Sequence, residues 1–177
     1  MKLSNCRYES IKNDVAELYR KYNIKKIPID PFEICEKMNI KLIKYSSLTD
    51  EEQKILLNIS PEGFKDHTNT MIFYNDLKQP SKIKFTILHE LGHIIRGHKE
   101  FSQLAESEAE WFAAYAIAPP PIIDLYDISD FTDIMDIFDT TFNCAWNAMH
   151  RYISWKKYAP KNKTYDNILI ELFSNTN

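Results

Sequence analysis

The stretch from Lys84 to His98, KFTILHELGHIIRGH, constrains this chain more than any other. Phe85, Ile87, Leu88, Leu91, Ile94 and Ile95 are apolar almost all round, which predicts a buried helix rather than one lying on the surface. Within it His89 and His93 stand four residues apart, hence about 40° apart around the axis, and can grip one ion. Glu90 lies about 100° round from His89, within reach of a water on that ion. An unpaired carboxylate in so apolar a helix would cost on the order of several kcal/mol, and a dication held by the two imidazoles offsets that cost. Short patterns of the form HExxH also arise by chance, and core histidines are often merely hydrogen-bonded, so a third ligand decides the matter.

The remainder of the sequence frames where that ligand can come from. From Ser10 to Tyr22 apolar residues recur at helical spacing, Asp30-Pro31 reads as a cap and first turn of a short helix through Met38, and Ile40 to Tyr45 alternates weakly as a strand. Lys54 to Ser60, KILLNIS, and Thr70 to Asn75, TMIFYN, read as two better strands. The expected fold is therefore α+β: a small antiparallel sheet of about three strands packed on the helices that follow, in a mostly helical domain. Pro80-Ser81 starts the histidine helix and Gly97 stops it. Leu104 to Ala118, rich in Ala and Glu, is a helix that Pro119-Pro120-Pro121 ends. Phe142 to Tyr158 is a further helix, and Asn167 to Phe173 a last helix or an edge strand.

Two candidates compete for the third ligand. His98 would serve in the longer pattern HExxHxxGxxH, but Gly97 falls four residues after His93 rather than three, and His98 five rather than six. Were the helix to continue, the His98 ring would point well over 100° from that of His93, so His98 reads as an ordinary residue at the helix end. The other candidate is Glu106, about a dozen residues on, where Glu106 and Glu110 fall one turn apart on one helix face. A catalytic zinc site takes three protein ligands and leaves one position open. Glu106 suits the metal, while Glu110 suits the free N–H of a ligand histidine and so fixes its tautomer. Glu108 points elsewhere and is expected to be solvated. Ala109, Ala113 and Ala114 would let this helix approach the histidine helix closely. The predicted site is then His89, His93 and Glu106 around Zn2+, with Glu90 as catalytic base and Glu110 behind.

HELGH followed by ESEAEWFAAYAIAPP resembles the paired motifs of the ImmA/IrrE family of metallo-endopeptidases, and IPIDPFEICEKMNIKLIKYSSL at residues 27–48 resembles that family's approach to its catalytic domain. The chain differs in carrying Ala116-Ile117-Ala118 where the family tends to have a Leu-Leu pair, and in placing its next histidine at His98. The resemblance implies a zincin-like, gluzincin-type domain spanning residues 1–177, its catalytic core at about 8–120 and a helical extension at about 121–177. It further implies zinc-dependent cleavage of a partner helix-turn-helix repressor, with Glu90 moving the proton of the attacking water. A binding protein of the same fold that sequesters its repressor without cutting it is the alternative. Tyr115, His150 and Arg151 are available to face a developing oxyanion.

Composition excludes other classes. A net charge of -3 gives no general pull towards nucleic acid or anionic membrane, and only three glycines leave no phosphate-cradling loop. Neither a signal peptide nor a bilayer-spanning run is evident, and Cys6, Cys35 and Cys144 are scattered, so a cytoplasmic protein with reduced and partly buried cysteines is expected.

Overall fold

The structure is a computed structural model and describes residues 2–158 and 164–174. The described residues form two compact units, one running from Asp30 to Ala113 and the other combining Lys2–Ile29 with the described residues from Ala114 onwards.

The first unit holds a three-stranded sheet in the order β1-β3-β2. Its strands are β1 (Lys41–Lys44), β2 (Gly63–Lys65) and β3 (Met71–Tyr74). The sheet is mixed rather than antiparallel. β1 runs parallel to β3 with Leu42 opposite Ile72, and β2 runs antiparallel to it with Phe64 opposite Phe73. Ile72 and Tyr74 are buried, and helices α2 (Pro31–Lys37) and α4 (Pro80–Ile95) pack against the strands. Asp30 caps α2 by accepting from the Phe32 amide at 2.9 Å, as its sequence predicts.

The expected strand over 54–60 is instead helical, part of α3 (Asp50–Ile59). Thr49 accepts from the Glu52 amide while Glu52 accepts from the Thr49 amide at 2.9 Å, a full capping box. Asp50, Glu51 and Glu52 then place three acids in the first turn, where the helix dipole favours them. This start signal outweighs the β-like run Ile55 to Ile59, which stays largely at the surface: no residue of α3 is buried. The third strand of the sheet falls to the segment that follows.

Between β2 and β3 the chain turns around Asp66, whose carboxylate accepts from the amides of Thr68, Thr70 and Met71 at 3.1, 2.9 and 2.9 Å. Burial pushes this carboxyl up, but hydrogen bonds from the Thr68 hydroxyl and these three amides outweigh it and hold it down at about 2. A folded-state value below the unfolded one of about 3.9 means stability that is present above pH 4 and lost as the pH falls towards 2. Asp66→Ala is therefore expected to cost about 1–2 kcal/mol at neutral pH. In urea titrations the gap from wild type should shrink between pH 4 and pH 2; a gap that stays constant would contradict this account.

The second unit is helical among the described residues. It contains α1 (Asn5–Tyr22), α6 (Pro120–Leu125), α7 (Phe131–Ile137), α8 (Phe142–Tyr158) and α9 (Thr164–Ser174). The open choice over 167–173 resolves as helix α9, which packs on α1 with Tyr19 and Phe173 ring centroids 6.3 Å apart. The proline run after residue 118 both ends one helix and opens the next, because proline lacks only an N–H that a first turn cannot use. None of the three cysteines forms a disulfide among the described residues; Cys35 is buried and Cys144 half-buried, whereas Cys6 is exposed rather than partly buried.

Candidate metal centre

Helix α4 carries the site, and its buried part is Thr86 to Leu88 and Glu90 to His93. His89 and His93 fall on one face with their Nε2 atoms 3.1 Å apart. The third group comes from α5 (Gln103–Ile117), whose start is set by Ser102, its Oγ accepting from the Ala105 amide at 3.0 Å. Glu106 in the first turn of α5 presents Oε2 to His89 Nε2 and Oε1 to His93 Nε2, each at 3.4 Å.

These separations fit a metal. Donor atoms each about 2.1 Å from one ion in tetrahedral geometry stand roughly 3.3–3.4 Å from one another. His89, His93 and Glu106 are also the group of potential ligands found together among the described residues, with their donor atoms within 4.8 Å. Charge points the same way: Glu90, Glu106 and Glu110 all act on His89, and a dication would balance that excess of carboxylate. Burial, then the neighbouring His89 and His98 rings, push His93 down to about 3, so a neutral ring with a free lone pair is what the site offers at neutral pH.

Glu90 sits beside this triangle, 8% exposed. Its Oε2 accepts the Lys65 amide of edge strand β2 at 2.9 Å. Burial pushes its carboxyl up to about 7, against the pull of His89 and of the Lys65 amide. The edge strand reaches Glu90 because residue 63 is glycine: a Cβ there would stand 2.8 Å from both the Phe73 carbonyl oxygen and the Thr86 side chain.

Glycine also sets the distance between the two site helices. A Cβ on Gly92 would meet Phe112 Cβ at 3.0 Å and Ala109 Cα at 3.1 Å, so α5 approaches α4 where glycine and alanine face each other. Of the three alanines expected to permit that approach, Ala109 meets Gly92 directly. Gly92→Val is expected to destabilise the protein by about 2–3 kcal/mol through overpacking, read from the urea midpoint. Midpoints equal to wild type would show that the helices part without cost.

Glu110 lies one turn beyond Glu106, with Oε2 3.6 Å from His89 Nδ1. That is ion-pairing distance, longer than a hydrogen bond, and Glu110 is free at the surface to close it. Two expectations need correction. Glu108 is not solvated but 4% exposed, paired with Arg96 Nε at 2.9 Å and with His98 Nε2 at 3.0 Å. Nor is His98 an ordinary helix-end residue, since its Nδ1 lies 3.0 Å from His93 Nδ1. The angular argument against His98 assumed that the helix runs on. Instead Gly97 takes φ +68°, the left-handed conformation, and folds the chain back. Of the groups considered for an oxyanion, Arg151 donates to the Ala114 carbonyl at 3.0 Å, Tyr115 packs edge-on against Tyr165, and His150 packs edge-on against Trp146.

Two imidazoles and a carboxylate converging on one point, with a buried glutamate adjacent, are a donor set that could hold a metal ion, of the kind the HExxH-plus-glutamate metallopeptidase class uses. The family model for the IrrE N-terminal-like domain, Peptidase_M78, matches residues 35–134, which include every residue of this centre, and the chain belongs to that family. It is thus a metallopeptidase-family protein. No curated protein matches it. No helix among the described residues is long and apolar enough to cross a membrane.

Proposed function

We propose that this chain is a zinc-dependent endopeptidase whose substrate is a partner helix-turn-helix repressor. The observation that carries the chemistry is the donor triangle, with His89 Nε2, His93 Nε2 and Glu106 separated by 3.1 and 3.4 Å, beside a Glu90 carboxylate buried and aligned by a backbone amide. Two imidazoles and a carboxylate suit zinc among the available divalent ions. The repressor rests on the motif pair HELGH and ESEAEWFAAYAIAPP, which in the ImmA/IrrE family accompanies such partners.

His89, His93 and Glu106 would hold the ion. A bound dication supplies Lewis acidity, polarising a peptide carbonyl and making water a competent nucleophile at neutral pH. Glu90 accepts the proton of the attacking water and returns it to the departing amine. The Lys65 amide holds Oε2 of Glu90 in place through that exchange, so the carboxylate does not have to reorganise between accepting and donating.

Co-expression with the product of the neighbouring open reading frame, followed by intact masses and metal analysis of the purified proteins, tests the proposal. Two fragments summing to the partner's mass plus one water, and about one zinc per chain, are the expected result. A stable complex with an intact partner would instead make the protein a sequestering module.

A further inference from the structure

His93 is held from the side opposite the donor triangle. After α4 the Gly97 amide donates to the Ile94 carbonyl at 3.1 Å and the His98 amide to the His93 carbonyl at 3.0 Å. With Gly97 left-handed this is a Schellman turn, which brings the side chains of its third-last helical residue and its second following residue together. Such a pair is commonly apolar; here it is His93 and His98, with ring centroids 5.0 Å apart at 75°.

The hydrogen-bond chain behind the pair allows one assignment of protons that keeps His93 a ligand. Glu108 as a carboxylate only accepts, and Arg96 Nε donates to its Oε2. His98 Nε2, 3.0 Å from the same oxygen, must therefore carry hydrogen. A neutral His98 then has its lone pair on Nδ1, and the proton across the 3.0 Å gap to His93 belongs to His93 Nδ1. That leaves the lone pair of His93 on Nε2, the atom in the donor triangle. The reverse polarity, with protons on both nitrogens of His98, would put the His93 proton on Nε2 and close the triangle.

The geometry points to His98, Glu108 and Arg96 as positioning residues that lock His93 in its Nδ1–H tautomer and so hold it ready to bind metal. The inference rests on the proposed metal centre for its purpose but not for its structural content. Gly97 is needed because only a left-handed residue there returns His98 onto His93. Glu108 and Arg96 are needed because a buried carboxylate without a cation would not stay ionised.

Long-range proton–nitrogen spectra of the full-length, metal-stripped protein with labelled histidines read the tautomer without any metal, and chelator competition reads Zn(II) affinity. His93 is expected to carry its proton on Nδ1 in the wild type. In His98→Phe, which keeps a ring of similar size, the proton should move to Nε2 and Zn(II) affinity should fall about 10–100-fold. The melting temperature of the metal-free variant should stay near that of wild type. Glu108→Gln, which preserves volume, should weaken Zn(II) in the same direction and serves if the phenylalanine variant does not fold. A wild-type His93 protonated on Nε2, or unchanged Zn(II) affinity in a folded variant, overturns the inference. A wild type that shows the Nδ1–H tautomer yet binds no Zn(II) sustains the lock and removes the metal reading instead.

Discussion

Glu90→Gln should leave the protein folded and carrying about one zinc per chain while lowering peptide hydrolysis by roughly 10²–10⁴-fold, the usual contribution of a positioned acid–base group. The substitution is nearly isosteric, and the glutamine oxygen can still accept the Lys65 amide that Glu90 Oε2 accepts at 2.9 Å. Glu90 is 8% exposed and not among the three converging donors, so neither the core nor the donor triangle loses a member. What disappears is the capacity to take a proton and give it back. With the proposed partner repressor co-expressed, the variant should accumulate an uncleaved partner that the wild type is expected to convert to fragments. Retained cleavage at the wild-type rate would rule out Glu90 as the base, and loss of zinc along with activity would mean that its role is structural.

The site was more legible in the sequence than the sheet, for reasons that differ residue by residue. His89, Glu90 and His93 are local: a regular helix fixes their mutual placement from spacing alone. Glu106 and Glu110 were accessible because a second regular helix carries them at one-turn spacing, and the small residues of that helix supply its docking face, Ala109 meeting Gly92. His98 and Glu108 were not, because their position depends on a turn. A helical projection carries His98 away from His93, whereas left-handed Gly97 reverses the chain and brings their Nδ1 atoms to 3.0 Å. The signal was available: a glycine four residues after His93 and a histidine five after it are the spacing of a Schellman pair. The segment 54–60 failed through apolar periodicity read without its start signal, since Thr49 and Glu52 form a capping box just upstream. Parallel pairing of β1 with β3 could not be read from either strand, because nothing in four residues specifies direction.

Close packing converts those local patterns into one site. Two of the three glycines in the sequence are steric spacers against or on α4, Gly63 in β2 admitting the strand whose amide holds Glu90 and Gly92 in α4 admitting the helix that carries Glu106. The metal centre is therefore a property of the packing of β2 and α5 on α4, and a substitution at either spacer should act at the site without touching a ligand.

Glu106→Ala tests the joint from the other side. Glu106 offers one carboxylate oxygen to each histidine at 3.4 Å and has a side chain 40% exposed, so removing it subtracts a ligand while leaving no cavity in the core. In the metal-free protein the loss is confined to a first-turn acid at the α5 N-terminus, about 0.3–1 kcal/mol. Zn(II) affinity should fall by more than the roughly 100-fold upper range for losing a partner behind a ligand, because two donors remain of three. Thermal melts separate these effects. At a zinc concentration about 100 times its dissociation constant the wild type gains roughly 2.7 kcal/mol, and its melting temperature should rise accordingly. The variant, given the same zinc, should melt where its metal-free form does. A zinc-induced shift equal to that of wild type would place the third ligand elsewhere, and His98 would be the first residue to test. Both of its ring nitrogens are engaged, by His93 and Glu108, so it could reach the ion only by giving up the contacts that hold His93.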